Sequence, residues 1–198
     1  MHKLCDTPGR TEETLIVALD DLAAGGRVYV LGLGNTDRGD DGAGILVAEA
    51  VAKPFPSYSY SEHDGVEGVV LDLSEKEEDA MVVFVDAAEL HSEPGHVRLV
   101  DRRDIRETEI TTHRVTVAFM AAFLEKAGKR SAVVCIQPGD IEFQAEVTAP
   151  VRAAIESVSR VLRTVMERHD CECVQPLPPS PGKCLSLNIP LSESREIG

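Results

Sequence analysis

The sequence predicts an α/β protein whose mostly parallel sheet is covered by helices on both faces, and three observations predict it. Val28 to Leu33, Met81 to Val85 and Ala132 to Ile136 are short runs of almost unbroken apolar character. Strands buried on both faces read this way, because neither side of the pleat meets water. Stretches with helical spacing of apolar residues separate these runs, and strand–helix alternation is the pattern of parallel sheets. The first run also empties into a polar, Gly-rich loop from Gly34 to Asp41. Open α/β sheets bind ligands outside the carboxyl ends of their strands, where such a loop sits.

Residues 1–26 read as an N-terminal extension carrying one short helix. Thr11 is placed to cap it, with Glu12 and Glu13 in the first turn. Leu15, Leu19 and Leu22 form its apolar stripe, and Gly25-Gly26 ends it. The main domain spans residues 27–169. After the loop, Gly42 to Val51 reads as a helix that stops before Pro54. Tyr58 to His63 is a second strand. Glu67 to Glu75 is a helix with Val69, Val70 and Leu73 on its apolar side. The run from Met81 to Val85 ends at Asp86, and Val97 to Val100 is a shorter strand after the Pro94-Gly95 turn.

His113 to Ala127 is helical, with Val115, Phe119, Ala122 and Phe123 on one face. Thr111 or Thr112 caps it and Gly128 terminates it. A long helix from Thr148 to Arg168 presents Val151, Ile155, Val158, Leu162 and Val165 to the core. From Asp170 the periodicity dissolves. Pro176, Pro178, Pro179 and Pro181 mark residues 170–198 as a flexible tail.

The formal net charge of -14 and pI of about 4.8 disfavour nucleic acid and anionic membrane surfaces, whose phosphates the protein would repel. No apolar run reaches the roughly 20 residues of a membrane-spanning helix. Met1 to Pro8 lack the apolar core of a signal peptide, so a cytoplasmic location is expected. The five cysteines are odd in number and irregularly spaced, which makes no disulfide framework. Cys135 lies in an apolar run, where a thiol is buried and inert. Cys171, Cys173 and Cys184 with His169 offer metal-ligand chemistry, but the Pro-rich surroundings favour a tail without structure.

The loop after the first strand carries the most chemistry. Gly32-Leu33-Gly34-Asn35-Thr36-Asp37 opens like a dinucleotide fingerprint but has Asp37 where the third glycine belongs, and no P-loop lysine follows. Asp37, Asp40 and Asp41 would repel a phosphate approaching the helix N-terminus, while the same crowding attracts a cation. Asp40 or Asp41 could equally serve only as a helix cap, and the glycines only as turn formers. Asp86 is displayed at the same sheet edge, and His113 opens a later helix that could reach it. Two carboxylates and one imidazole make a three-ligand set for a divalent transition metal. His2, His63, His91 and His96 receive no role beyond surface or turn positions.

Gly32-Leu33-Gly34-Asn35 followed by Asp40-Asp41-Gly42 and a helix resembles the N-terminal signature of the hydrogenase maturation protease family. The resemblance continues through His63-Asp64-Gly65 with Gly68, the strand into Asp86-Ala87, Thr112-His113, and the strand into Gln137-Pro138, covering residues 27–168. It implies a three-layer αβα sandwich with a twisted, mostly parallel sheet. It also implies an endopeptidase that removes the C-terminal peptide of a nickel-loaded hydrogenase large-subunit precursor. Nickel would arrive with that substrate and be recognised by Asp41, Asp86 and His113, with Asp41 and Asp86 as the catalytic carboxylates. The partner is then the precursor, with no nucleic acid or membrane involved, and the protein is expected to be a monomer.

A water could be activated by a carboxylate, as in aspartic proteases, or polarised by the metal. No Gly-x-Ser-x-Gly elbow offers a serine nucleophile. Two alternatives stand beside this reading: a nonproteolytic nickel-binding assembly chaperone on the same fold, and a Rossmann-type nucleotide-binding enzyme.

Overall fold

The computed structural model describes residues 12–100 and 112–172, with the side chains of residues 112–115, 171 and 172 outside that description. Thr11, Thr111 and the tail cysteines named above lie outside the described side chains. The chain runs α1 (Glu12–Ala23), β1 (Arg27–Gly32), a 3-10 segment (Thr36–Gly42), α2 (Ala43–Ala52), β2 (Ser59–Ser61), a 3-10 turn (Glu62–Asp64) and α3 (Val66–Glu75). It continues through β3 (Ala80–Ala87), β4 (Val97–Val100), α4 (Thr112–Lys126), β5 (Arg130–Ile136) and α5 (Ala149–Glu172).

The five strands lie in the order β2-β1-β3-β5-β4. β2, β1, β3 and β5 are mutually parallel, and only β4 at one edge runs antiparallel, against β5. The three most apolar strands are the central ones. Each has helices over both faces, so alternation would leave polar side chains without water. Two apolar layers enclose the sheet. One joins Val28, Val30, Met81, Val83, Val134 and Ile136 to α1, α2 and α5. The other joins Tyr29, Leu31, Val82, Phe84 and Val133 to α3 and α4. The expected αβα sandwich is the observed fold.

Several local expectations shift. α1 uses Leu15, Leu19 and Ala23 as its buried stripe, and Leu22 is exposed. That stripe lies in the same apolar layer as α2 and α5. Glu12 also pairs with Arg160 at 2.8 Å, fastening α1 to α5. In α4 the buried positions are Val117, Met120, Ala121 and Leu124, while Phe119 is 73% exposed. Both faces of α4 carry apolar side chains, so apolar spacing alone does not fix which face turns to the sheet. His63 belongs to the 3-10 turn rather than to β2, because Asp64 accepts hydrogen bonds from the backbone N–H and hydroxyl of Ser61 and turns the chain. Among the described residues, no helix is long and apolar enough to cross a membrane.

Candidate active site

β1 delivers the chain to the carboxyl edge of the sheet, where the register pairs Gly32 with Val85 of β3. The Leu33 N–H donates to the Val85 carbonyl at 2.9 Å, extending the pairing one residue further. At Gly34 the backbone turns with φ 130°, and a Cβ there would lie 1.9 Å from the Asp41 carbonyl oxygen. That carbonyl accepts from the Asn35 N–H at 3.2 Å, so the loop closes on itself. Asn35 caps the following segment by accepting from the Asp37 N–H at 2.9 Å. A kink at Arg38 and Gly39 then splits the 3-10 segment between Asp37 and Asp40.

Asp40 and Asp41 are adjacent in sequence and differ in burial. Asp40 is fully buried. Its carboxylate accepts from the N–H groups of Gly139 (2.8 Å), Asp140 (3.0 Å) and Thr148 (2.7 Å), and from the Thr148 hydroxyl (2.8 Å). Burial pushes this carboxyl's pKa up, but the four donors outweigh burial and hold it below the ordinary carboxylate range. Asp40 therefore latches the loop after β5 to the loop after β1. Asp41 is half-buried on the same turn and precedes the first turn of α2.

Asp86 lies within β3 rather than beyond its end, since the strand continues to Ala87 and Asp86 is paired with Cys135 of β5. It is buried. The N-terminus of α2 presses against this strand, and a Cβ on Gly44 would come within 2.2 Å of the Val85 carbonyl. The backbone after Asp41 and the backbone before Asp86 are thus in van der Waals contact. The backbone segments that carry the two acids therefore lie side by side at the carboxyl edge of the sheet.

His113 lies in the first turn of α4, and its side chain is outside the described residues. α4 packs along β5 and ends just before Arg130, the amino end of that strand. Fifteen helical residues rise about 22 Å, close to the length of a seven-residue strand, so the helix start returns to the carboxyl edge. Among the described residues no group of three or more His, Cys, Asp or Glu is arranged to hold a metal.

Sequence reasoning did not find the structural partners of this rim. Glu62 accepts from the Gly34 N–H at 3.0 Å and ties the 3-10 turn before α3 to the acidic loop. Gln137 is buried, and its side-chain oxygen accepts from the Leu90 N–H at 2.7 Å, organising the segment that follows β3. An amide directly after a strand is the only sequence signal for the second; for Glu62 there was none.

The loop between β1 and α2 carries Asp37, Asp40 and Asp41 and has neither the third glycine nor the lysine of a phosphate-binding loop. The comparisons with known proteins identify the family. Residues 67–164 match the family model described as HycI, hydrogenase maturation protease. The chain is 31% identical to the Hydrogenase 3 maturation protease of Escherichia coli K12, over 65% of this chain and 84% of that protein. It is also 31% identical to the hydrogenase expression/formation protein HupD of Rhizobium leguminosarum bv. viciae, over 76% of this chain and 83% of that one. The crystal structure of the maturation protease HycI from Thermococcus kodakarensis KOD1 superposes with a TM-score of 0.64. It covers 76% of this chain and 99% of that one at 24% identity, a likeness of fold. The chain belongs to the hydrogenase maturation protease family.

Proposed function

We propose that this protein is the endopeptidase that removes the C-terminal peptide of a nickel-loaded hydrogenase large-subunit precursor, and that it reads nickel loading through Asp41, Asp86 and His113. The observation that carries the reading is the division of labour between Asp40 and Asp41. Four hydrogen bonds commit Asp40 to the fold. Asp41 is then the acid of that pair which shares the rim with Asp86. Two carboxylates on one rim resist joint ionisation, and a divalent ion presented by the substrate relieves that repulsion. A nickel-free precursor brings no such relief. Binding that depends on loading is a checkpoint with an electrostatic cause.

In the cleavage step a water attacks the scissile carbonyl carbon. One of the two carboxylates takes the proton that the water loses and returns it to the departing amide nitrogen. His113 serves the metal as a neutral imidazole, so recognition weakens as falling pH protonates it. The reaction needs no serine or cysteine nucleophile, and buried Cys135 takes no part. The absence of a membrane requirement and a monomeric state belong to the same proposal.

The test is incubation of the protein with precursor prepared with and without nickel. The loaded form is expected to shorten and the empty form to persist. Binding of the loaded form without shortening would instead establish a nickel-dependent chaperone.

A further inference from the structure

The segment from Gly139 to Thr148 leaves the sheet after β5 and is fastened to the acidic loop. Besides the three residues that donate to the Asp40 carboxylate, the Asp40 N–H donates to the Asp140 carbonyl at 2.9 Å. The Gln144 N–H donates to the Asp37 carbonyl at 2.7 Å. Internal bonds stiffen the span between these anchors: Glu142 N–H to the Asp140 carboxylate at 2.9 Å, and Ala145 N–H to the Glu142 carbonyl at 3.2 Å. On this fastened span Ile141 is 45% exposed and Phe143 is 68% exposed. Isolated apolar residues on a surface are ordinary. Two of them on one span, hydrogen-bonded to the loop that bears Asp41, fill no core and present apolar surface beside the site.

We infer that Ile141 and Phe143 form an apolar foothold for the precursor segment that flanks the scissile bond. The inference rests on the proposed proteolytic function and adds the residues that hold its substrate. The occupant follows from position and charge. The span that carries the foothold is hydrogen-bonded, through Asp37 and Asp40, to the loop that carries Asp41. Residues 36–42 and 139–148 include Asp37, Asp140, Glu142 and Glu146, with Arg38 as their one basic residue. An acidic segment is repelled there, and a second copy of a chain with net charge -14 is disfavoured for the same reason. A non-acidic extended segment with an apolar side chain fits. Contacts formed equally in the bound and transition states raise affinity without speeding chemistry, so their loss falls on KM.

The experiment follows steady-state processing of nickel-loaded precursor by the full chain and by the double variant Ile141→Ser with Phe143→Ser. KM is expected to rise about tenfold, the loss expected when one large apolar contact goes, while kcat falls less than KM rises. The melting temperature should hold, because neither side chain is in the core, and Phe143→Leu should recover most of the affinity. An unchanged KM in the double variant overturns the inference, whether kcat is kept or falls together with the melting temperature. So does a dimer in sedimentation that the double variant abolishes without moving KM. If the unmodified chain neither binds nor cleaves the precursor, the proteolytic reading itself fails and takes the foothold with it.

Discussion

The two ends of the sheet are both rich in charge, and they treat it in opposite ways. At the amino end Arg27, Tyr29, Tyr58, Tyr60, Lys76 and Glu78 line an open cleft of about 490 Å³. Its groups answer one another. Tyr29 donates to Glu78 and accepts from Lys76 at 3.0 Å, and Arg27 donates to Tyr58. Arg27 and Lys76 both face the Glu78 carboxylate, at 3.6 and 3.8 Å. Lys129 is buried and donates to the Lys76 carbonyl at 2.6 Å. At the carboxyl end acids predominate, and the buried Asp40 is stabilised as a carboxylate by backbone and hydroxyl donors rather than paired with a base. A balanced cluster stabilises itself, whereas a rim of one sign gains when a cation arrives.

The largest effect is expected at the acid rim. Asp86→Asn removes one charge with almost no change of shape and should lower precursor processing by about a thousandfold, with the melting temperature nearly unmoved. Asp41→Asn should behave alike. Gel-based processing of nickel-loaded precursor measures this. Retained cleavage by either variant would break the contrast between the two ends.

Next comes stability, where the neighbouring acids should part company. Asp40→Ala strands buried donors from Gly139, Asp140 and Thr148 and should cost about 3 kcal/mol, or roughly a 10 °C fall in melting temperature for a chain of this size. Asp41→Ala should cost less than Asp40→Ala, because Asp41 is only half-buried. Thermal unfolding of the two variants side by side sharpens the assignment, and equal losses would refute it.

The pH response divides the two ends further. Asp40 titrates below its unfolded value, so its stabilisation is present above about pH 4 and is lost as pH falls through the folded pKa. Tyr29 is pushed up by burial and by its bond to Glu78. Its contribution is complete below about pH 10 and is lost as pH rises through its folded pKa. Melting temperatures across pH should show Asp40→Asn flattening the acid limb alone and Tyr29→Phe the alkaline limb alone. The smallest effect belongs to Glu78→Gln. It should leave processing unchanged and shift stability by about 1 kcal/mol, since a neutral acceptor remains for Tyr29.

The parts of this molecule that were legible in its sequence are those whose cause is local. Strands β1, β3 and β5 announce themselves because burial on both faces leaves no room for polar residues. The stripe of α5 was legible because one face of the helix is buried, with Val151, Val158, Leu162 and Val165 all in the core. α4 was misread in phase because Phe119 and Phe123 outweigh smaller residues in any apolar pattern, although Val117, Ala121 and Leu124 make the contact. The structural role of Asp40 was beyond reach. The donors that claim Asp40 stand 99 to 108 positions away, and nothing near the two acids distinguishes them. Asp86 was found as a strand-end acid, and its place inside β3 depends on pairing with β5 that no single segment encodes.

The carboxyl rim is proposed to respond to the cation that its substrate carries. Calorimetric titration with nickel-loaded and nickel-free precursor tests it most directly, for the unmodified chain and for Asp86→Asn. Loaded precursor should bind the unmodified chain at least about tenfold more tightly than empty precursor, and the variant should bind the two alike. Equal affinity of the unmodified chain for both forms, or a preference that survives in Asp86→Asn, would contradict the account.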